Sequence, residues 1–241
     1  MNKGIFKYQD MVWRKTREDC AALAPCMPRL IIERLSEDAV IPTYASEGDS
    51  GMDVYATKSV LLEPGNTVLM KLGFKMGIPR HPFHELGYRW ECQARPRSGV
   101  SLNTSLRVAN APGTIDNFYT DEVGIILTNT AQRLYDFNKD KRWIIDHSED
   151  SVEIVEDADF AINTSSDVYD LKGNVVPISS LKDLFPDRLL PLELPRGTVL
   201  IRKGERIAQL VFAEVIRPLE IVEGKVDESV SRGGGFGHTG V

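Results

Sequence analysis

Short runs of hydrophobic and β-branched residues recur along most of the chain, and turn-forming residues separate them. The runs that fit β-strands are residues 30–32, 59–62, 67–70, 90–94 and 123–128. Turn signals lie between them, as at residues 64–65 and 76–79. No long segment carries apolar residues at helical spacing. Many short strands with regular turns predict an all-β sandwich or barrel.

The pattern changes between residues 131 and 195, where Asp, Lys and Asn become frequent. Residues 152–155 predict a strand, and residues 168–178 predict a hairpin that turns at residues 172–174. Residues 180–183 fit a capping box, with Asp in place of the usual Glu, that opens one helical turn. The β-type pattern resumes at residue 197 and continues to residue 221.

The two ends of the chain differ from its middle. Residues 1–28 predict an N-terminal extension with a short helix at residues 16–24. Residues 229–241 are mostly glycine and small polar residues, which predicts an arm that is mobile without a ligand. The predicted organisation is an extension at 1–28, a β core at 29–130 and 196–228, a mixed insertion at 131–195 and a C-terminal arm at 229–241.

Composition narrows the class of protein. With 241 residues, 42% of them hydrophobic, the chain is long enough for one well-buried core. A net charge of −6 argues against non-specific nucleic-acid binding, so we expect no nucleic-acid partner. No apolar run approaches the roughly 20 residues that span a bilayer, so we expect no membrane partner. Cys20, Cys26 and Cys92 show no CxxC spacing, which indicates free thiols and a cytoplasmic protein.

Five polar, glycine-rich segments stand among the predicted strands, and their residue types together suit a nucleotide site. They are residues 50–56, 96–99, 113–119, 204–210 and 232–240. The second offers Arg97, Ser98 and a backbone N–H beside Gly99, all of which suit a phosphate. Each segment alone has an ordinary interpretation as a turn or a strand entry. Their combination and order point to one nucleotide pocket.

The third segment carries the candidate chemistry. Turn-formers on both sides of Ile115 and Asp116 predict a β-hairpin that lines a cleft. A carboxylate fixed there could activate a water for attack on phosphorus. The ring of Tyr119 could pack against a sugar and leave no room for a 2′-hydroxyl. Taken alone, an ordinary turn Asp and a half-buried strand Tyr would be the better interpretations.

Two further segments need separate interpretations. Gln209 interrupts an apolar run, so its side chain needs a polar partner if it is buried. Residues 235–240 formally match the GxGxxG pattern, but no helix follows them, so a dinucleotide fingerprint is rejected. Phe236 lies between glycines and could instead stack on a flat base.

The five segments, in this order, resemble the motifs of the trimeric dUTPase (dUTP diphosphatase) family over about residues 29–130 and 196–241. The resemblance implies a jelly-roll-like subunit and a homotrimer whose three active sites are shared between neighbouring chains. It implies hydrolysis of dUTP to dUMP and pyrophosphate by attack at the α-phosphorus, which keeps uracil out of DNA and supplies dUMP for dTTP synthesis. It also implies Mg²⁺, held by substrate phosphates and water without a direct protein ligand.

The same resemblance assigns roles to individual residues. Asp116 would orient the attacking water, Gln209 would lie near the α-phosphate, and Tyr119 would pack under the deoxyribose. Asp53 and Arg206 would support the site from behind the direct contacts. The direct substrate contacts would be Arg97, Ser98 and Gly99 with the phosphates, Asn110, Gly113, Thr114 and Ile115 with uracil, and Arg232, Phe236, Gly237, His238 and Thr239 of the closing arm.

Three features depart from the family pattern. Phe118, Thr120 and Asp121 replace residues that are commonly acidic, Arg and Gly. The arm has one residue fewer than is common between Arg232 and Phe236. Residues 131–195 replace a short connection. Phage-encoded members can carry an extra segment there, and some use it to contact a regulatory protein. If this protein is phage-encoded, its place is the host cytoplasm. A partner-binding or trimer-edge role and a tolerated surface insertion are therefore both open.

Two alternative functions remain to be weighed. A dCTP deaminase shares the fold but needs a carboxylate base in the strand after the hairpin, and residues 123–129 contain no Glu. A non-catalytic regulatory nucleotide binder could use the same scaffold. The presence of Asp116, Tyr119 and Phe236 argues against that second alternative.

Overall fold

The computed structural model describes residues 29–132, 135–136, 161–162 and 164–226. The predicted helix at 16–24, the predicted strand at 152–155 and the arm at 229–241 lie outside the described residues. In the described part of the chain the strands are β1 (Ile31–Arg34), β2 (Met52–Tyr55), β3 (Val60–Leu62), β4 (Thr67–Gly77), β5 (Tyr88–Pro96), β6 (Leu106–Val108), β7 (Gly113–Asp116), β8 (Glu122–Asn129), β9 (Tyr135–Asp136), β10 (Ala161–Ile162), β11 (Thr164–Ser165), β12 (Asp167–Tyr169), β13 (Val175–Pro177), β14 (Leu194–Pro195), β15 (Val199–Ile201) and β16 (Arg206–Ile216).

Helical structure among these residues is limited to short pieces. The helix α1 covers Ser98–Asn103, and 3₁₀ turns cover His84–Leu86, Ile178–Ser180 and Lys182–Leu184. The prediction of an all-β fold is confirmed. The five strands predicted for the core are all present, and β16 ends at Ile216, earlier than the predicted residue 221.

Two four-stranded sheets with the orders β1-β4-β8-β6 and β2-β16-β5-β7 form the main body. They share one core, to which the first sheet contributes Met70 and Ile125 and the second contributes Cys92 and Leu210. The alternation of side chains between the two faces of a strand explains this arrangement, since every second residue of β8 is buried. Burial of each large side chain stabilises the fold by roughly 1.5–3 kcal/mol, and this fixes which face of each strand points outwards.

The segment from Gly113 to Asp116 is not half of a hairpin as predicted. It forms β7, which pairs antiparallel with β5, whereas the preceding strand β6 pairs with β8 in the other sheet. Residues 109–112 therefore carry the chain from one sheet to the other. The sequence shows a turn between two short strands, but the partners of those strands are distant in sequence and are chosen by core packing.

The predicted hairpin at residues 168–178 is confirmed as β12 and β13, which pair antiparallel. Gly173 turns it with φ +81°, a conformation that L side chains rarely adopt. The Asp170 carboxylate holds the turn, because its Oδ1 accepts hydrogen bonds from the backbone N–H groups of Lys172 and Asn174, both at 2.9 Å. The local sequence is therefore sufficient to specify this hairpin.

This hairpin also joins the β core. Strand β12 pairs in parallel with β15, and the resulting sheet has the order β13-β12-β15-β3. A second hydrophobic cluster beneath it consists of Val168, Ile178, Leu181, Leu194 and Leu200. Leu200 of the core is fully buried by residues of the predicted insertion. The boundaries of that insertion stay a prediction.

The predicted capping box at residues 180–183 is wrong. Ser180 is itself the last residue of a 3₁₀ turn, and its hydroxyl donates to the carbonyl oxygen of Pro177 at 2.7 Å. The next turn, Lys182–Leu184, has Leu181 at its N-cap position and no side-chain cap. A helical turn before Pro186 is present, but Ser180 lacks the extended backbone that an N-cap residue needs.

Candidate active site

A buried carboxylate organises the first part of the site. Asp53 on β2 is 4% exposed. Its Oδ1 accepts a hydrogen bond from Arg97 Nε at 3.0 Å, and its Oδ2 accepts one from Arg206 Nη1 at 3.1 Å. Gln209 Nε2 also donates to Oδ1, at 3.3 Å. Because a buried charge is tolerated only when it is paired, Asp53 both needs and fixes these three side chains.

The arginines beside Asp53 remain accessible to an anion. The side chains of Arg97 and Arg206 keep 25% and 49% of their surface exposed, so part of each guanidinium faces solvent. Ser98 and Gly99 follow Arg97 at the start of α1, and both are exposed. A Cβ at Gly99 would meet no atom within 4 Å, so a ligand can approach this backbone closely. The group provides guanidinium, hydroxyl and N–H donors for phosphate oxygens.

A cavity of about 210 Å³ lies between β7 and β8. Its lining consists of Leu69, Ala94, Asn110, Gly113, Thr114, Ile115, Tyr119, Glu122, Val123, Gly124, Ile125 and Ile126. Five residues for which a uracil or deoxyribose contact was predicted line this cavity, namely Asn110, Gly113, Thr114, Ile115 and Tyr119, whereas Phe236 lies outside the described residues. The cavity is smaller than the about 300 Å³ at which sites for drug-sized ligands begin, which suits a single base and its sugar.

Glycines and one hydroxyl shape this cavity. A Cβ at Gly113 would lie 2.9 Å from Asn110 Nδ2, so the Asn110 amide can occupy its position only beside glycine. A Cβ at Gly124 would lie 2.7 Å from Leu69 Cδ1. The Tyr119 hydroxyl donates to the backbone carbonyl of Glu122 at 3.0 Å, which fixes the ring at the rim while 40% of the residue stays exposed.

Asp116 lies at the end of β7 and is exposed. Its cross-strand partner on β5 is Glu91. The strand rise of about 3.3 Å per residue puts about 20 Å between Glu91 and Arg97, the residue that directly follows β5. Within one chain, the candidate base is therefore far from the candidate phosphate-binding residues. A base must lie about 2.6–3.2 Å from the proton that it takes, and this separation is several times longer.

Sequence reasoning missed two sets of polar residues near the site. The first is the outer face of β5, formed by Glu91, Gln93 and Arg95. The alternation of polar and buried residues in that strand is the signal that could have found them. The second is Glu122, which begins β8 and lines the cavity. Its carboxylate accepts from the Gly73 N–H at 2.9 Å and pairs with Lys71 Nζ at 3.3 Å, so both oxygens are engaged.

Some residues named from the sequence do not contribute to the described site, because they are buried elsewhere or lie outside the described residues. Cys92 is fully buried, and burial together with the charge of Glu91 raises the pKa of its thiol to about 12, so it has no thiolate chemistry. Residues outside the described part of the chain are Cys20, Cys26, Arg232, Phe236, Gly237, His238 and Thr239. Within the described ranges, no group of three or more His, Cys, Asp or Glu side chains could hold a metal ion. A helix long and apolar enough to cross a membrane is also absent from the residues that the structure covers.

Comparison with known proteins matches this geometry to one family. The family model dUTPase matches residues 37–143. Deoxyuridine 5′-triphosphate nucleotidohydrolase of Clostridioides difficile is 41% identical over 115 residues, which are 48% of this chain and 73% of that protein.

Two solved phage structures are also similar. The dUTPase of Staphylococcus bacteriophage 80alpha with dUPNHPP superposes with a TM-score of 0.62 at 26% identity, over 88% of this chain and 99% of that one. It is described among phage dUTPases that control transfer of virulence genes. A mutant dUTPase from phage phi11 of S. aureus, described with a structural Mg(II) ion, has a TM-score of 0.56 at 25% identity, over 83% of this chain and 99% of that one.

Proposed function

The chain belongs to the dUTPase family, and we propose that it hydrolyses dUTP to dUMP and pyrophosphate in active sites shared between neighbouring copies of the chain. The observation that carries the proposal is the division of the site into two halves on one sheet. One half is the cavity lined by Ile115, which Asp116 follows in β7, and the other is the arginine pair held by Asp53. About 20 Å along β5 separates them, so the two halves serve different sites.

The cavity half would take the base and the sugar. Asn110 and the backbone around Gly113 supply donors and acceptors for the edge of a uracil ring. The ring of Tyr119, fixed by its hydroxyl to Glu122, would lie against the deoxyribose and exclude a 2′-hydroxyl. This arrangement favours dUTP over UTP on steric grounds.

The arginine half would take the phosphates from a neighbouring copy's nucleotide. Arg97 and Arg206 are held in place before the substrate arrives, so little ordering is needed on binding. Ser98 and Gly99 add a hydroxyl and an N–H at the start of α1. Gln209 bridges from the centre of the sheet to Asp53 and would face the α-phosphate.

The homotrimer that the family resemblance implies fits this division. In a closed ring each interface repeats, so one chain's cavity meets the next chain's arginines at three equivalent sites. Oligomer formation is then a condition for activity and not only for stability. The arm with Arg232 and Phe236, which lies outside the described residues, would close over the nucleotide and exclude water.

A divalent cation, most simply Mg²⁺, suits this donor set only through the substrate. Asp53 is the carboxylate nearest the arginines, and its oxygens already accept hydrogen bonds from Arg97, Arg206 and Gln209. The ion would therefore be held by the phosphates and by water. When bound, it would neutralise triphosphate charge and favour one conformation of the chain of phosphates.

The hydrolytic step follows from these positions. Asp116 takes a proton from a water, whose oxygen forms a bond to the α-phosphorus. The bond from that phosphorus to the α–β bridging oxygen breaks, and pyrophosphate leaves with the bonding electrons. Arg97 and Ser98 of the neighbouring chain would stabilise the charge on the leaving oxygens. The products are dUMP and pyrophosphate, formed where dUTP and reduced thiols coexist, which makes the cytoplasm the proposed place of action.

A nucleotide panel tests the proposal. Purified protein with Mg²⁺ is incubated with dUTP, dCTP, dTTP and UTP, while dUMP, pyrophosphate and ammonia are measured and the assembly is weighed. We expect pyrophosphate from dUTP and the mass of a trimer. Asp116→Asn should bind dUTP and lose turnover, whereas Asp183→Asn, an exposed carboxylate in the insertion, should match wild type. Ammonia from dCTP would support a deaminase, and binding of dUTP without any turnover would support a regulatory binder.

We also propose that the insertion offers a surface to a regulatory protein. A cavity of about 550 Å³ lies beside two exposed leucines, Leu189 at 97% and Leu192 at 90% exposure. Deleting the segment is a poor test because Leu200 of the core would lose its cover. Leu189→Ser with Leu192→Ser should retain dUTP hydrolysis and trimer mass. A loss of the trimer would instead assign this surface to the contact between subunits.

A further inference from the structure

A row of hydrogen-bonded side chains runs along the outer face of β5. Arg95 donates from Nε and Nη2 to Gln93 Oε1, at 3.0 and 2.7 Å. Gln93 in turn donates from Nε2 to Glu91 Oε1 at 2.5 Å. Because every second residue of a strand faces the same side, the three form one line that points along the strand. The line starts near the arginine half of the site and ends at Glu91.

The last member of this row lies directly across from the candidate base. In the pairing of β5 with β7, Glu91 is opposite Asp116 and Gln93 is opposite Thr114. Residues opposite each other in a sheet have Cβ atoms about 4.5–5.5 Å apart, and like charges in such a pair destabilise the sheet. The chain thus places two carboxylates side by side and holds one of them in place with Gln93.

We propose that Glu91, held by Gln93, is a positioning residue for Asp116. This inference rests on the proposed function, because it assigns Asp116 the part of the base. Repulsion between the two carboxylates turns the Asp116 side chain away from β5. In the described part of the chain β7 is the last strand of its sheet, so this direction leads off the sheet towards a neighbouring chain. That chain would carry the phosphates.

The effect of Glu91 on the reaction is geometric, because it sets the direction in which the Asp116 carboxylate meets the attacking water. Glu91 takes no part in the bond changes, so its loss should slow the chemical step and leave the binding of dUTP almost unchanged.

Substitutions at Glu91 separate this effect from simple packing. Glu91→Gln keeps an oxygen that accepts the bond from Gln93 and removes only the charge. We expect kcat for dUTP to fall about 5-fold to 50-fold with KM within about 2-fold of wild type. Glu91→Asp keeps the charge and should retain more of kcat than Glu91→Gln. The matched control is Glu33→Gln, an exposed strand glutamate in the other sheet that faces Lys75 and should leave kcat unchanged.

Trimer mass and the unfolding temperature are measured on the same variants. Wild-type kcat in Glu91→Gln would overturn the inference, and so would equal losses in the Asp and Gln variants together with a lower unfolding temperature. The proposed function is tested independently by Asp116→Asn. If that variant is inactive while Glu91→Gln is fully active, the base assignment stands and only the role of Glu91 fails.

Discussion

Removing the acceptor oxygens of Asp53 should weaken the fold and the phosphate site together. Asp53 is 4% exposed and accepts hydrogen bonds from Arg97, Arg206 and Gln209. In Asp53→Ala both guanidinium groups lose their counter-charge. Breaking a fully buried ion pair by removing one partner costs about 3–5 kcal/mol. The arginine side chains here are 25% and 49% exposed, so water recovers part of that loss and we expect about 1–3 kcal/mol.

Thermal unfolding and steady-state kinetics measure the two consequences. For a chain of this size, 1 kcal/mol shifts the unfolding temperature by about 2–4 °C, so Asp53→Ala should unfold about 2–12 °C below wild type. Arg97 is no longer held towards the phosphates, so kcat/KM for dUTP should fall at least about tenfold. The unfolding temperature and kcat/KM of Asp53→Asn should lie between those of wild type and Asp53→Ala, because its amide nitrogen meets a donor where one carboxylate oxygen accepted a hydrogen bond.

The control is Asp187→Asn, an exposed aspartate outside the site, which should change neither quantity. An Asp53→Ala protein with the unfolding temperature and kcat/KM of wild type would refute the reasoning. Loss of kcat/KM without any loss of stability would show that the arginines find other partners when Asp53 is absent.

Three other changes have definite outcomes. In Gly113→Ala the added Cβ would lie 2.9 Å from Asn110 Nδ2, so the amide should be displaced and KM for dUTP should rise. Gly48→Ala, where a Cβ meets nothing within 4 Å, should leave KM unchanged. Burial would raise the pKa of Asp170, but hydrogen bonds from Asn174 and Lys172 and the charge of Arg202 outweigh it and lower that pKa below 3.8. The stability contributed by Asp170 is therefore complete above about pH 3.8 and is lost as the pH falls through the lower value in the folded state, so urea unfolding of wild type and Asp170→Asn should converge in acid. With a pKa of about 12, the Cys92 thiol should resist alkylation at pH 8 until the protein is denatured, as mass spectrometry of its peptide would show; rapid labelling of folded protein would contradict the burial.

Local sequence was enough to predict the strands whose alternation marks one buried face, such as β8, and the hairpin that turns at Gly173. It was not enough to predict the partner of β7. Strand pairing is decided by contacts between residues far apart in sequence, and the turn at 109–112 is compatible with a hairpin or with a passage between sheets.

The site shows the same limit. Asp53 was predicted as a supporting residue, yet its place between Arg97 and Arg206 depends on β2 and β16 becoming neighbours. The opposition of Glu91 and Asp116 likewise needs the register of β5 with β7. The sequence shows which chemical groups are present, but the pairing and register of the strands determine which of them lie close together.

The two halves of the site on one sheet have a genetic consequence. A subunit with Asp116→Asn keeps a sound arginine half, and a subunit with Asp53→Ala keeps a sound cavity half. Mixed in equal amounts and reassembled, two inactive proteins should regain roughly a quarter of the wild-type sites, wherever sound halves adjoin. In a cell, an allele defective in one half would impair a fraction of sites equal to its share of the subunits, and two alleles defective in different halves would complement each other.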